Sequence, residues 1–209
     1  MRRGSSCLTV SRETRAQELF GQQGEKILQY ADLLESEGIK RGLVGPSEAH
    51  RIWDRHIENC LPLAKLFDSN STVLDVGSGA GLPGIVIALA RPDLEVTLME
   101  PLKRRVDFLE EVLQVLQLPL TVIHSKAERA KGVFHHVTAR AVAPLPRLVD
   151  ATWHLIEKGG SLLAMKGERA ALEIEELPHD KRRKSMDIEL KEISWQENLS
   201  RIVIIRRIS

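Results

Sequence analysis

The segment from Thr72 to Ala90 constrains the fold of this chain more than any other part of the sequence. A short apolar run, TVLDV, leads directly into the glycine-rich stretch GSGAGLPG and then into a second apolar run, IVIALA. This order predicts a strand, a tight loop and a helix, the opening unit of an α/β domain. Glycines let the backbone approach a ligand closely, and free N–H groups at a helix start attract an anionic group. The segment therefore predicts a ligand site at one edge of a parallel sheet.

Strands and helices alternate downstream with the lengths typical of a doubly wound sheet. We predict strands at 94–100, 120–124, 136–141 and 161–165. Helices are predicted at 102–116 and 145–156, and a third helix is predicted from the end of the strand at 161–165 to about residue 177. Gly159 and Gly160 are expected to connect the second helix to the strand that follows it. Two final strands, 185–195 and 201–206, have no helix between them and predict a closing antiparallel hairpin. The expected fold class is a Rossmann-like α/β doubly wound sheet that ends in this hairpin.

The residues before this sheet predict a small helical N-terminal extension, 1–71, ahead of a catalytic domain at 72–209. Apolar positions spaced among charged ones between residues 11 and 37 suit one or two amphipathic helices. A second helical stretch is predicted from Ser47 to Phe67, with Ser47 as its N-cap. The apolar residues expected on or near one face of that stretch are Ile52, Trp53, Ile57, Cys60 and Leu61.

Composition excludes some classes of function. The 209 residues contain no apolar run of the roughly 18 residues needed to span a membrane, and residues 1–17 do not have the pattern expected of a secretory signal. We therefore expect a soluble, cytoplasmic protein. A net charge of +1 means that any site for a polyanion must be a local patch. Cys7 and Cys60 lack CxxC spacing and the histidines lack metal-ligand spacing, so we expect plain thiols and no metal.

Two cofactors fit the glycine-rich loop. Residues 79–84 match GxGxxG, the dinucleotide pattern. Asp75 favours S-adenosylmethionine instead, because a dinucleotide strand is usually apolar there and in methyltransferases this acidic residue helps to hold the methionyl ammonium. Glu100 ends the next strand, where its carboxylate can accept hydrogen bonds from both ribose hydroxyls of either cofactor. Together with the closing hairpin, Asp75 leads us to expect a class I S-adenosylmethionine methyltransferase. Purely structural roles, a strand-end cap for Asp75 and a partner of Lys103 or Arg104 for Glu100, stay open.

The sequence gives limited information on the methyl acceptor. The segment RAVAPL, after the fourth predicted strand, lacks the Asn/Asp-Pro-Pro-aromatic tetrad of enzymes that act on exocyclic amino groups. Neither cysteine lies in a core loop, as C5-pyrimidine chemistry requires. A ring nitrogen with an exposed lone pair, such as guanine N7, needs neither device and is compatible with these residues. Methylation of a protein or small molecule, and cofactor binding without catalysis, also stay open.

Several sequence blocks in fixed order resemble one known family. The run DVGSGAGLPGIVIALARPDLEVTLMEPLKRRVDFL, with WDRHIENC before it and TARAVAPL, LLAMKG and RIVIIRR after it, resembles the RsmG family, also called glucose-inhibited division protein B. The resemblance extends from about Ile39 to Arg206. It implies methylation of guanine N7 in the decoding-region loop of 16S ribosomal RNA, with that RNA or the 30S particle as partner. We expect the chain to act as a monomer.

The resemblance and the glycine-rich loop together assign site residues. The cofactor-binding residues expected are Asp75, Gly77, Ser78, Gly79, Gly81, Leu82, Pro83, Glu100, Pro101, Ala127, Glu128 and Arg140. The residues expected to face RNA are Arg55, His56, Lys166 and Arg201, and catalytic roles are expected for Arg140, Lys166 and Arg201. Alternatives are an Arg140–Asp75 pair, Lys166 as a strand-end cap and a merely packed His56. Residues 38–43 depart from the Asn-Leu-Thr segment of many members, so RNA contacts of the N-terminal part are the least certain.

Overall fold

A single sheet of seven strands organises the chain. The computed structural model describes residues 11–179, 182–196 and 198–208, so Cys7 and the first ten residues of the predicted extension lie outside the described residues. The strands are β1 Thr72–Val76, β2 Glu95–Glu100, β3 Thr121–His124, β4 Phe134–Arg140, β5 Ile156–Lys166, β6 Met186–Trp195 and β7 Asn198–Arg207. The α-helices are α1 Arg12–Phe20, α2 Gly24–Leu33, α3 Leu61–Ala64, α4 Gly84–Ala90, α5 Lys103–Leu116, α6 Leu145–Thr152 and α7 Ala170–Glu175. No helix in the described ranges is long and apolar enough to cross a membrane.

The strand order is β3-β2-β1-β4-β5-β7-β6. Strands β1 to β5 run parallel, whereas β7 pairs antiparallel with both β5 and β6. The sheet is therefore doubly wound and ends in an antiparallel hairpin, which confirms the predicted fold class. The direction of winding reverses between β1 and β4, and ligands of such sheets bind at the carboxyl ends of the strands near this reversal.

The sheet separates two apolar cores. Alternate strand residues face opposite sides, so Val73 packs in one core and its neighbour Leu74 in the other. Helices α4 and α5 and the N-terminal helices cover the first side. Helices α6 and α7 cover the second side. The N-terminal helical part therefore shares one core with the sheet, and the predicted boundary at residues 71 and 72 stays a prediction.

The second helical stretch differs from its prediction in shape. It is a series of short turns, 3-10 at Pro46–Arg51, π at Ile52–Ile57 and 3-10 at Glu58–Cys60, before α3 begins. Ser47 is not its N-cap, because the first turn begins one residue earlier, at Pro46. Proline suits the first helical position since its φ is fixed and it has no N–H to satisfy. The five predicted apolar residues of this stretch are all buried.

Gly159 and Gly160 lie inside β5, which is a correction to their expected place in a connection. Helix α6 ends at Thr152, and β5 begins at Ile156 after one 3-10 turn. The pairing of β4 with β5 is irregular here, because Phe134 pairs with Ile156 and His136 with Ser161, which leaves additional residues on β5. A Cβ at Gly160 would lie 2.3 Å from the His135 carbonyl oxygen. Glycine is needed there because β4 approaches the irregular part of β5 so closely.

Glu58 connects the N-terminal helices through a buried carboxylate. It is fully buried, and it accepts hydrogen bonds from Arg15 Nη2 at 2.6 Å and Trp53 Nε1 at 2.6 Å. Burial raises the pKa of Glu58, while Arg15 and Trp53 act in the opposite direction. Helix α1 and the series of turns at residues 46–60 are therefore joined through one side chain.

Replacing Glu58 with alanine should lower the free energy of unfolding by about 2–3 kcal/mol, because the buried Trp53 N–H and the Arg15 guanidinium lose their acceptor. Chemical denaturation measures this change. Glu18→Ala, at an exposed position of α1, is the matched control and should stay within about 0.5 kcal/mol of the parent chain. Equal stabilities for the two variants would contradict the role given to Glu58.

Candidate cofactor and acceptor site

Three cavities meet at the carboxyl edge of the parallel strands. The loop cavity, about 300 Å³, is lined by Gly77–Ala80, Leu82, His56 and Arg140, among others. The apolar cavity, about 310 Å³, is lined by Val76, Met99, Pro101, Ala127, Glu128 and Leu148, among others. The basic cavity, about 560 Å³, is lined by Arg55, Lys166, Arg201 and Met165, among others. The segment from Arg140 to Ala143 contributes walls to all three.

The backbone turns sharply where these cavities meet. Ala141, directly after β4, has a left-handed φ of 53°, a conformation that costs free energy for a residue with a side chain. A Cβ at Gly77, whose own φ is 69°, would lie 2.7 Å from Val142 Cγ2. Glycine therefore allows the first loop and the Arg140–Ala143 segment to touch, and Gly77 lines both the loop cavity and the apolar cavity.

Arg140 carries a charge that no carboxylate neutralises within the described ranges. Its Nη2 donates to His56 Nδ1 at 2.9 Å, and its Nη1 lies 3.3 Å from the His56 carbonyl oxygen and 3.6 Å from Cys60 Sγ. The predicted alternative, an Arg140–Asp75 pair, is wrong. These partners orient the guanidinium without cancelling its charge, so Arg140 can still attract an anion.

His56 is a neutral support for Arg140. Because a guanidinium only donates, His56 Nδ1 must accept, and Nε2–H then donates to Glu48 Oε2 at 3.2 Å. Burial and the nearby Arg140 charge lower the pKa of His56. The structure therefore places His56 in the loop cavity as a packed, hydrogen-bonded side chain, while the adjacent Arg55 lines the basic cavity.

Lys166 is a largely buried residue in the wall of the basic cavity. Its side chain is 7% exposed, pairs with Glu173 at 2.8 Å and donates to the Ala143 carbonyl oxygen at 2.6 Å. Glu173 also accepts from the Leu145 N–H at 2.6 Å, at the start of α6. Burial opposes ionisation of Glu173, but these donors outweigh it and its pKa is lowered. Lys166 thus holds the Arg140–Ala143 segment near α6. Arg201, on β7, is 25% exposed and pairs with the exposed Glu192 at 2.7 Å.

Asp75 lies behind the glycine-rich loop and is fully buried. Its Oδ2 accepts from the Gly84 N–H at 3.0 Å, at the start of α4, whereas Oδ1 has no hydrogen-bond partner within the described residues. Burial raises the pKa of Asp75 to about 7, against the lowering effect of Ser78 and the Gly84 N–H. A Cβ at Gly84 would lie 2.6 Å from Oδ2, so only glycine permits this contact. An unpaired oxygen in so buried a place fits a cationic or N–H donor supplied by a ligand.

Glu100 holds the same loop from the end of β2. It is 1% exposed; its Oε2 accepts from the Gly79 N–H and its Oε1 from the Leu102 N–H, each at 3.0 Å. Among the described residues, the ion-pair partner of Glu100 is Arg105, whose Nη1 lies 3.8 Å from Oε2. The structural alternative expected Lys103 or Arg104 in this place. Each carboxylate oxygen keeps a lone pair, so acceptance from ribose hydroxyls stays a prediction.

The predicted cofactor residues fall into two groups. Those that line the loop cavity or the apolar cavity are Gly77, Ser78, Gly79, Leu82, Pro101, Ala127, Glu128 and Arg140. The other four, which line neither of these cavities, are Asp75, Gly81, Pro83 and Glu100. Sequence reasoning missed Val142 and Ala143, although they directly follow β4. It also missed Tyr30, the single tyrosine, whose buried hydroxyl donates to the Ala80 carbonyl oxygen at 2.8 Å.

Solved structures define the class of this fold. A ribosomal protein L11 methylase from Lactobacillus delbrueckii subsp. bulgaricus has a TM-score of 0.56 at 16% identity and covers 72% of this chain and 77% of its own. A SAM-dependent O-methyltransferase from Thermotoga maritima has a TM-score of 0.54 at 14% identity, with 78% and 70% covered. At these identities the likeness concerns the fold alone. The chain has the Rossmann-like fold of class I methyltransferases.

Sequence relatives define the family. A family model described as rRNA small subunit methyltransferase G matches residues 23–199. Relatives named ribosomal RNA small subunit methyltransferase G are 49% identical over 176 residues in Thermobifida fusca, covering 83% of this chain and 74% of that protein, and 52% identical over 162 residues in Acidothermus cellulolyticus, covering 77% and 73%. The chain belongs to the small-subunit rRNA methyltransferase G family, which confirms the resemblance seen in its sequence.

The buried Asp75 should make the unliganded protein less stable as the pH rises. Its folded pKa of about 7 lies above the unfolded value of 3.8, so its stabilising contribution is complete below pH 3.8 and is lost as the pH rises to 7. Relative to the parent chain, Asp75→Asn should gain up to about 1.4 kcal/mol of unfolding free energy per pH unit in this window.

Denaturation at several pH values measures this difference. Asp93→Asn is the control of opposite sign, because Arg91 lowers the pKa of Asp93 in the folded state. That variant should lose stability relative to the parent chain as the pH rises through the unfolded pKa. Parallel curves for Asp75→Asn and the parent chain would show that Asp75 is not titrating in this range.

Proposed function

We propose that this protein transfers the methyl group of S-adenosylmethionine to N7 of a guanine in the decoding-region loop of 16S ribosomal RNA, in the cytoplasm. The observation that carries the proposal is the Arg140–Ala143 segment, which joins two cavities beside the glycine-rich loop to a larger cavity rimmed by Arg55 and Arg201. Membership of the small-subunit rRNA methyltransferase G family supports ribosomal RNA as the substrate. One chain lines all three cavities, so the proposed reaction needs no second copy.

The two smaller cavities match the two ends of the proposed cofactor. The apolar cavity, with Val76, Met99 and Ala127 in its walls, suits an adenine ring. The loop cavity suits the amino-acid end, because among the described residues Asp75 Oδ1 has no hydrogen-bond partner and Arg140 has no carboxylate partner. An ammonium near Asp75 and a carboxylate near Arg140 would satisfy both groups. In this proposal Glu100 keeps the loop in place and receives the ribose hydroxyls.

Methyl transfer to a ring nitrogen requires the protein to align the two reactants and does not require it to transfer a proton. Bound S-adenosylmethionine supplies an electrophilic methyl group on sulfur, and a guanine N7 lone pair can attack it without first losing a proton. Two described side chains beside the site fit this requirement, because Lys166 in the basic cavity is committed to Glu173 and His56 in the loop cavity is committed to Arg140 and Glu48. Their task in this proposal is to fix the walls that orient the base.

RNA would reach the site across the basic cavity. Arg55 and Arg201 line it and are 49% and 25% exposed; Arg55 pairs with the half-buried Glu48 and Arg201 with the exposed Glu192. Ion pairs that solvent reaches contribute little stability, so a phosphate can replace the glutamate at small cost. Contacts of this kind to phosphates position an RNA and supply most of its affinity.

Labelled methyl should pass from S-adenosylmethionine to one guanine of small ribosomal subunits taken from cells that lack this protein. Reduction and aniline treatment should then cleave the RNA at that nucleotide, as expected for a base methylated at N7. Arg140→Ala should lower the rate by about 100-fold or more while circular dichroism shows an intact fold. Arg104→Ala, at an exposed position of α5, is the matched control and should be fully active.

Other outcomes identify the competing functions. Near-normal transfer by Arg140→Ala would defeat the role given to Arg140. Turnover that is indifferent to RNA would indicate a protein or small-molecule acceptor. Tight cofactor binding with no transfer to any ribosomal fraction would indicate a binding protein without catalysis.

Arg201 should act through RNA binding. Arg201→Ala should raise KM for the ribosomal substrate about tenfold and reduce the salt dependence of binding by about 0.7–0.9 in log–log slope, the effect of one phosphate contact. Arg206→Ala is the control, because Arg206 lies on the same strand, outside the basic cavity, and pairs with Asp187 and Glu189. Filter binding at several salt concentrations measures both. Equal slopes for Arg201→Ala and the parent chain would remove Arg201 from the RNA interface.

A further inference from the structure

Three side chains with metal-binding atoms converge at the opposite edge of the sheet from the cavities. Asp68 lies in the loop before β1, and His135 and His136 lie near the start of β4. The carboxylate oxygen Oδ2 of Asp68 is 3.2 Å from His135 Nε2 and 3.3 Å from His136 Nε2. One ligand atom from each residue falls within 4.8 Å of the other two. We infer that these three residues form a binding site for a divalent transition-metal cation of the zinc type.

The two histidines meet where the pairing of β4 with β5 is irregular. Consecutive residues of a regular strand face opposite sides, so adjacent histidines would normally be separated by the sheet. Here the two imidazole rings lie 4.5 Å apart, at the point where the register of β4 and β5 shifts between Phe134 and His136. The His135 carbonyl oxygen lies close to Gly160, in the irregular part of β5. The third donor, Asp68, is 67 residues from His135, which is why metal-ligand spacing was not visible in the sequence.

The donor separations suit direct coordination. Zinc binds imidazole nitrogen and carboxylate oxygen at about 2.0–2.2 Å, so neighbouring donors of a tetrahedral site lie about 3.3 Å apart. The two distances from Asp68 Oδ2 have this value. Two imidazoles and one carboxylate are a set that borderline cations such as zinc accept, with water in the fourth position.

The outer nitrogen of each histidine is already held. His135 Nδ1 lies 2.5 Å from Glu157 Oε1, and His136 Nδ1 lies 2.8 Å from Ser161 Oγ. Partners of this kind fix ring orientation and tautomer around protein-bound metals. The Asp68 N–H donates to His136 Nε2 at 3.2 Å, so this nitrogen presents its lone pair toward the proposed site. A bound cation would take that lone pair in place of the amide.

The proposed site has a structural role and is separate from methyl transfer. His136 is 4% exposed, while Asp68 is 73% exposed, on the loop between the N-terminal helices and β1. Arg140 is four residues beyond His136 on β4, about 13 Å along the strand. A cation here would tie the connecting loop to the sheet without touching the three cavities.

Zinc binding by untagged, metal-free full-length chain tests the inference. Titration against a chromophoric chelator should give one zinc per chain, and cobalt in place of zinc should give the visible absorption of a tetrahedral site. Zinc at a hundredfold excess over Kd should raise Tm by about 5–10 °C. Absence of stoichiometric binding would overturn the inference.

Variants distinguish this site from chance surface binding. Asp68→Asn alters an exposed loop residue and should lose the cobalt spectrum and the rise in Tm. Glu157→Gln keeps all three ligands and should weaken zinc binding about 10–100-fold. His154→Gln, at an exposed histidine just before β5, is the control and should bind like the parent chain. Unchanged binding in Asp68→Asn, or loss of binding in His154→Gln, would overturn the assignment.

Discussion

Two buried carboxylates hold the glycine-rich loop, and the arrangement of the proposed cofactor site depends on them. Asp75 accepts from the Gly84 N–H at the start of α4, and Glu100 accepts from the Gly79 N–H in the middle of the loop. Both side chains are almost fully buried, where an unpaired carboxylate is costly, so each is tied to the backbone donor that it meets. The hydrogen bonds that fix the loop conformation are therefore the same ones that satisfy the two buried carboxylates. This arrangement also explains why Gly84 lacks room for a side chain.

The sequence predicted those parts of the fold that depend on local pattern. The strand TVLDV coincides with β1, and the closing hairpin follows from two strand patterns without a helix between them. The predicted N-cap failed because Ser47 has the right side chain but Pro46, one residue earlier, has the backbone that begins the turn. The irregular pairing beside Gly160 could not be predicted, since it depends on how β4 pairs with β5. Patterns within one segment could be recognised in the sequence, whereas the pairing of distant segments could not.

The same division applies to the site. Loop residues such as Gly77 and Leu82 were predicted to bind cofactor from the loop and the family resemblance; they line the loop cavity, and their role stays a prediction. The partners of the charged residues could not be assigned, because they come from other segments: Lys166 is paired with Glu173 and Arg140 with His56. The sequence therefore shows that a residue is cationic, but it does not show whether a carboxylate from another segment already neutralises that charge. Arg140 keeps its charge available because its described partners are neutral groups, whereas Lys166 does not.

The combination of Asp75 and Arg140 also bears on the choice between the two cofactors that fit the loop. Asp75 offers an oxygen that has no hydrogen-bond partner in the described part of the chain, and Arg140 is close enough to lower the pKa of that carboxyl. A pyrophosphate would be repelled by an ionised Asp75. A zwitterionic amino-acid group has an ammonium for the carboxylate and a carboxylate for the guanidinium, and its own charges sum to zero. Such a ligand would favour the ionised form of Asp75 that burial opposes. The electrostatics of the loop cavity therefore favour an amino-acid-bearing cofactor over a dinucleotide, independently of sequence similarity.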